Sequence, residues 1–153
     1  MIYLGADHRG YELKEKAKQW LAELGYEFED CGAAELSPED DYPDFAAAVA
    51  RKIEDDPQSK GILFCGSGIG VCIAANKIRG IRAGTAASPG QVKASVSDED
   101  LNILCLSADY APNADFVDTD IAAKDTIRTF LETKFSGEER HMRRLDKIKA
   151  LEG

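Results

Sequence analysis

The chain has 153 residues, 44% hydrophobic and 31% charged, with a formal net charge of −9. This mixture builds a globular core and excludes a disordered chain, and the acidic sign disfavours nucleic acid and anionic membrane as partners. No apolar run approaches transmembrane length, and the start, Met1-Ile2-Tyr3-Leu4-Gly5-Ala6-Asp7, is too soon charged for a signal peptide, so a cytoplasmic location is the expectation.

Ile2-Tyr3-Leu4-Gly5-Ala6 reads as a first strand, closed by the polar turn Asp7-His8-Arg9-Gly10. A helix follows, with Leu13, Ala17, Trp20, Leu21 and Leu24 at spacings of three and four, and Gly25 as its stop. Residues 26–31 alternate as a second strand. The loop after it, residues 32–41, carries the turn signal Ser37-Pro38. Residues 42–53 are helical, with Pro43 in the first turn and Phe45, Val49 and Ile53 on one face. The third strand is residues 61–65, followed by a helix over about 68–77. Residues 81–85 give a fourth strand, 89–96 a weaker helix and 102–106 a fifth strand. A long helix covers 121–135 and a charged last helix covers about 138–151.

Strand and helix alternate throughout, which predicts one α/β domain over 1–153. The expected form is a three-layer sandwich around a five-stranded parallel sheet in the flavodoxin-like order 2-1-3-4-5. The last helix is expected to dock on a second subunit. In such sheets ligands bind beyond the carboxyl ends of the strands, at the switch point between strands one and three. Asp7-His8 and Cys65-Gly66-Ser67 both end strands there.

Cys65-Gly66-Ser67-Gly68-Ile69-Gly70 is the most informative motif. Glycines between a strand and a helix let backbone N–H groups cradle an anion, and the positive end of a helix favours an anionic sulfur. The competing reading is a tight turn that merely needs glycine. The spacing matches neither the Walker loop nor the dinucleotide fingerprint, which argues against ATP and NAD. Asp7 can accept bonds from sugar hydroxyls, and His8 can hold an anion or move a proton. Arg140 and Arg144 lie four apart on one helical face and suit a phosphate; a solvated basic face is the plain alternative. Asn102 opens the fifth strand, and Asp98-Glu99-Asp100 before it reads most simply as solvated loop. Cys31, Cys72 and Cys105 read as reduced structural residues. With no C-x-x-C pair and two histidines, the sequence offers no zinc site.

The chain resembles the B-type ribose-5-phosphate isomerase family, which includes the galactose-6-phosphate isomerase subunits. The matching residues run from Gly5-Ala6-Asp7-His8-Arg9-Gly10-Tyr11-Glu12-Leu13-Lys14 through Asp41-Tyr42-Pro43 to Cys65-Gly66-Ser67-Gly68-Ile69-Gly70. They continue through Ala74-Ala75-Asn76-Lys77 and Gly80-Ile81-Arg82-Ala83 to Arg140-His141 and Arg144. The resemblance implies a metal-free, cofactor-free aldose–ketose isomerase of pentose phosphate metabolism, working through an enediolate. It implies a homodimer with shared sites, or a tetramer built from such dimers. It makes Cys65 the base, with Ser67 and the backbone of Gly66, Gly68, Ile69 and Gly70 stabilising the enediolate. Asp7 would align hydroxyls, and Asn102 would contact the sugar. His8, Arg140 and Arg144 would hold the phosphate, the arginines reaching over from the partner chain.

Two departures stand out. The family's ring-opening histidine is replaced by Asp98, and the arginine it places on the phosphate after the fifth strand is replaced by Asp109, within Ser107-Ala108-Asp109. A carboxylate in place of a phosphate-binding cation is repulsive. The expected substrate pair is ribose 5-phosphate and ribulose 5-phosphate, with Asp98 available as ring-opening acid/base. The alternatives are an open-chain substrate such as a four-carbon sugar phosphate, or a non-catalytic sugar-phosphate binding protein.

Overall fold

Apolar runs alternate with amphipathic stretches, and in a computed structural model describing residues 1–110 and 119–153 they become five strands and six helices. In chain order these are β1 (Ile2–Ala6), α1 (Tyr11–Glu23), β2 (Phe28–Asp30), α2 (Tyr42–Asp55), β3 (Lys60–Cys65) and α3 (Ile69–Ala75). Then come β4 (Ala83–Thr85), α4 (Pro89–Glu99), β5 (Ile103–Ser107), α5 (Thr119–Glu132) and α6 (Glu139–Ala150). The glycine-rich loop thus leads into a helix of seven residues, shorter than the expected 68–77.

All strand pairs are parallel, and the sheet order is β2-β1-β3-β5-β4. The parallel α/β architecture agrees with expectation; the order of the last two strands corrects it. Ile103, Leu104, Cys105 and Leu106 are all buried, the signature of a strand covered on both faces. β4 has only three residues and none is fully buried, so it takes the edge and β5 sits beside β3. The switch point between β1 and β3 is unaffected.

Side chains alternate across the sheet. Ile62, Phe64, Leu104 and Leu106 pack with α1, α4 and α5 through Ala17, Leu21, Val92, Val96, Ile127 and Phe130. Leu63, Cys65, Ile103 and Cys105 face the other layer, meeting Val49, Ile53, Val71 and Ala75 of α2 and α3. Fully burying each such aliphatic side chain contributes about 1.5–3 kcal/mol.

The two ends of the sheet are separate regions. The six residues of β3 span roughly 16 Å. At the carboxyl end lie the loops after β1 and β3. At the amino end, the Ser136 N–H donates to Ser97 O at 3.0 Å, and the Gly80 N–H donates to Glu152 Oε1 at 2.8 Å. Both ends of α6 are therefore tied beneath the amino ends of β4 and β5. Only His141 of α6 is buried, while Met142, Ile148 and Leu151 beside it are exposed.

Candidate active site

The loops after β1 and β3 are locked together by close approach. A Cβ on Gly10 would lie 2.4 Å from both C and O of Phe64, backbone that cannot step aside. Gly10→Ala should therefore lower stability by about 2 kcal/mol in urea titration. Gly90→Ala, where the nearest atom is 3.9 Å from the added Cβ, should be neutral or stabilising by up to ~1 kcal/mol.

Asp7 follows β1 and is 5% exposed. Its Oδ1 accepts from the N–H groups of Arg9 and Gly10, both at 3.0 Å, which fixes the carboxylate and leaves Oδ2 for a ligand. His8 is held by a residue that sequence reading missed. Asp40 Oδ1 accepts from the His8 N–H at 2.9 Å and pairs with Nδ1 at 2.8 Å. Nδ1 is thereby committed and Nε2 remains for an outside group. Asp40 lies 32 residues away in an acidic loop, so only the fold reveals the pairing.

Cys65 ends β3 at 4% exposure, and its Sγ accepts from the Gly68 N–H at 3.2 Å. The Ile69 N–H donates to Ser67 Oγ, also at 3.2 Å. Two amides expected to cradle a ligand thus serve the loop's own side chains. The Gly68 amide fixes the direction in which the sulfur points. Gly68 has φ +73°, and a Cβ there would press on Leu106 C and Ser107 N at 3.0 Å, so this turn needs glycine. A Cβ on Gly70 would meet the Tyr42 ring at 2.9 Å, which places Tyr42 over the end of the loop.

Two further cysteines lie close by. Cys105 hydrogen-bonds Cys72, pulling the half-buried Cys72 thiol down to about 7 against the opposing effect of burial; the same contact, with burial, pushes Cys105 well up. All four cysteines are unpaired thiols. Among the described residues, no group of three or more His, Cys, Asp or Glu is arranged to hold a metal ion.

A cavity of about 580 Å³ opens beside the loop, with Arg9, Ser67, Ile69, Ser107, Asp109 and Tyr110 in its wall. Asp7, His8 and Cys65 are not part of that wall. The cavity adjoins the glycine-rich loop through Ser67 and Ile69; the polar contacts above, and not its size, place the candidate chemistry.

The remaining expected residues lie at the other end of the sheet. Asp98 is in the last turn of α4, not in a loop, and its Oδ1 lies 3.7 Å from His141 Nδ1 on α6. The same ring nitrogen lies 2.8 Å from Ser136 Oγ. Arg140 is exposed and paired with Glu138 at 2.8 Å, and Arg144 is exposed one turn on. Within one chain these groups are a strand length from Cys65, farther than any side chain reaches. Asn102, expected to contact the sugar, is engaged within the chain. Its Oδ1 accepts from the Arg82 N–H at 2.7 Å and its Nδ2 donates to Gly80 O at 2.8 Å. The amide is buried because it ties the segment entering β4 to β5.

Asp109 also departs from expectation. Its carboxylate forms an ion pair with Arg9, so the repulsive charge is compensated within the same chain.

The profile of the Ribose/Galactose Isomerase family matches residues 2–148. The chain belongs to the ribose/galactose isomerase family. Among its relatives is a probable ribose-5-phosphate isomerase B of Mycoplasma pneumoniae, 38% identical over 151 residues, covering 99% of this chain and 94% of the relative. The ribose-5-phosphate isomerase B of Mycobacterium tuberculosis is 37% identical over 145 residues, covering 95% of this chain and 85% of that protein. The crystal structure of the Mycoplasma genitalium ribose-5-phosphate isomerase B with bound ribulose-5-phosphate superposes with a TM-score of 0.89 at 35% identity, covering 99% of this chain and 95% of that one. In this member of the family, the residues at the carboxyl end of the sheet form the candidate site within one chain; Asp98, Arg140 and Arg144 lie at the opposite end.

Proposed function

We propose that this family member is an aldose–ketose isomerase that interconverts ribose 5-phosphate and ribulose 5-phosphate through an enediolate, in one domain spanning 1–153. The observation that carries the reading is the Cys65 sulfur, held by the Gly68 N–H at 3.2 Å beside the fixed Asp7 carboxylate. Mere binding has no use for a positioned base. Cys65 takes the proton from the carbon next to the carbonyl and returns it to the neighbouring carbon. Ser67, with the loop amides other than those of Gly68 and Ile69, stabilises the oxygen charge that develops between the two steps. Asp7 aligns the sugar hydroxyls, and His8, oriented by Asp40, offers Nε2 to the phosphate.

Arg140 and Arg144 complete the phosphate site from a second subunit, with Asp98 beside them as the acid/base for ring opening. The exposed Met142, Ile148 and Leu151 suit α6 to a homodimer interface, where apolar surface is covered. Free thiols suit a reducing cytoplasm, where pentose phosphates are interconverted.

The test is isomerisation of ribose 5-phosphate, with erythrose 4-phosphate and a six-carbon aldose phosphate alongside. Faster turnover of either alternative would reassign the substrate, and no turnover or proton exchange with any would leave a binding protein. Subunit sharing has its own test. Cys65→Ala and Arg144→Ala dimers, each impaired alone, should recover about a quarter of wild-type activity once subunits are mixed and exchanged, because half the dimers then carry one intact site. Absence of recovery under verified exchange would place both residues in one chain's site.

A further inference from the structure

Cys72 and Cys105 touch each other and have no part in the chemistry proposed above. Cys72 lies in α3, two residues after Gly70 of the glycine-rich loop, and Cys105 lies in β5. Their contact is fixed from several sides. As a thiol, Cys72 donates to Ala83 O at 3.4 Å. Its sulfur accepts from Asn76 Nδ2 at 3.6 Å, from the Cys105 thiol and from the Thr85 N–H. Ala83 and Thr85 pair with Ile103 and Cys105 across β4 and β5, so the Cys72 sulfur rests on that strand pair beside Cys105. Cys72 is half-buried and open to small molecules, whereas Cys105 is only 1% exposed.

The thiolate is the form of cysteine that attacks a peroxide. The bond from Cys105, aided by the Thr85 N–H, outweighs burial and brings the Cys72 thiol down to about 7, while Cys105 is pushed well up. One sulfur is thus ionised and reachable, and the other is protonated, sheltered and in contact with it. An attacking thiolate beside a second thiol that can capture the oxidised sulfur is the arrangement of a redox-sensitive pair.

We infer that Cys72 is a redox-modification site that takes a hydroperoxide, with Cys105 as its resolving partner, and that the disulfide they form slows the isomerase. The Cys72 thiolate attacks one peroxide oxygen, the O–O bond breaks and hydroxide leaves, giving a sulfenic acid on Cys72. Cys105 gives up its proton and attacks the Cys72 sulfur, which expels the sulfenic oxygen as hydroxide. In sum, two thiols lose two protons and two electrons, and one hydrogen peroxide becomes two waters. A dithiol reductant reverses the change by thiol–disulfide exchange.

A disulfide brings its sulfurs to about 2.05 Å, closer than any hydrogen-bonded pair, so closure draws α3 toward β5. Both partners are tied to the glycine-rich loop. α3 begins in it at Ile69. β5 leads into Ser107, whose Oγ donates to Gly66 O at 2.7 Å, and into Ala108, whose N–H donates to Cys65 O at 3.0 Å. Closure therefore misplaces Cys65 and Ser67, and a displacement of about 1 Å can cost about 10²-fold in rate. The effect on rate rests on the isomerase reading given above; the disulfide itself does not.

The experiment treats wild type, C72S and C105A with hydrogen peroxide at neutral pH. Free thiols are then alkylated in denaturant, disulfides are mapped by peptide mass spectrometry, and isomerisation of ribose 5-phosphate is followed in parallel. Wild type should lose two of its four free thiols to one Cys72–Cys105 bridge. Its turnover should fall at least about tenfold and return fully in dithiothreitol. C72S should keep its turnover at the same dose. In C105A the sulfenic acid on Cys72 should persist and be captured by dimedone. Survival of all the thiols in wild type, or a bridge through Cys65 instead, overturns the inference. An equal loss of turnover in C72S also overturns it, because Cys65 would then be the oxidised group, and so does unchanged turnover in the bridged protein. If untreated wild type shows no isomerisation, the function proposal fails and the peptide map decides the modification site alone. A Cys72–Cys105 bridge then supports it, and its absence overturns it.

Discussion

Cys65→Ala should lower isomerase turnover by about three orders of magnitude, in the range that loss of a positioned general base produces. The side chain is almost fully buried at the end of β3, and among the described residues its sulfur takes one hydrogen bond, from the Gly68 N–H. Alanine keeps the Cβ and the strand, so the packing loss amounts to one sulfur atom, on the order of 1 kcal/mol. The folded population is then nearly unchanged, and a rate loss of this size cannot come from unfolding. Cys65→Ser separates two roles for the sulfur. A hydroxyl can still accept from Gly68, but it is a far poorer base, so turnover should stay low. High activity in the serine variant would mean that Cys65 serves by hydrogen bonding. The cleanest readout is exchange of the substrate's transferable proton with deuterium from solvent, which reports enediolate formation even where net conversion is slow. Exchange at the wild-type rate in Cys65→Ala would remove Cys65 from the mechanism. Thiol alkylation is a poor substitute, because the half-exposed Cys72, with its thiol near 7 through the Cys105 contact, competes for the reagent.

The convergence of Asp7, His8 and Cys65 at the carboxyl end of the sheet was legible because its information is local. A cysteine at a strand end, glycines at fixed intervals and an Asp-His pair at another strand end can each be read in a few residues, and the switch-point rule brings them together. Asp40 was not legible, because one carboxylate in a run of acidic residues carries no mark of the imidazole it will meet. The pairing of Arg9 with Asp109 was hidden for the same reason: Asp109 stood out as a repulsive carboxylate, but its partner shows only when β3 and β5 pair and bring their loops together. Asn102 carries a structural task beside the sugar contact its motif suggested: its amide bonds the backbone on the way into β4 with both its oxygen and its nitrogen. The order of β4 and β5 was misread. The unbroken apolar run of β5 is the mark of an interior strand and outranks order along the chain, while the shortening of β4 to three residues shows only in the fold. Lys14 is the clearest case of tertiary override. A lysine beside Leu13 reads as a solvated charge at the margin of an apolar face, yet its side chain is completely buried. The partner that permits this, Asp30, comes 16 residues later.

That pair carries the largest stability effect expected in the molecule. Lys14 Nζ donates to both oxygens of Asp30 at 2.7 Å and to Ala33 O at 2.6 Å. Asp30→Asn leaves the buried ammonium with the longer 3.5 Å contact to Glu15 in place of its close counter-charge and should cost about 3 kcal/mol in denaturant titration. Lys14→Met should cost less, because Asp30 is partly exposed and keeps Lys18 at 2.9 Å and the Gly32 N–H at 3.0 Å. Combining the two changes should recover part of the Asp30→Asn loss, since the orphaned charge is then gone. Equal costs for the two single variants would show that packing, and not charge compensation, dominates. Acid provides an independent check. Burial pushes the Asp30 carboxyl up, but hydrogen bonds from Lys14, Lys18 and the Gly32 N–H outweigh it and hold the group below its usual range. The folded value lies below the unfolded one, so this stabilisation is complete above about pH 4 and is lost as pH falls through the folded value. Wild type should therefore lose stability more steeply than Asp30→Asn on acidification below that point. The consequence reaches the active site through the backbone. The Ala6 N–H donates to Gly32 O at 2.8 Å, and the Ala33 N–H donates to Ala6 O at 2.9 Å, so the segment that Lys14 grips is bonded to the residue before Asp7. Loosening it should raise KM under conditions where the variant is still folded, because the carboxylate that aligns the sugar loses its fixed position before the sheet itself gives way.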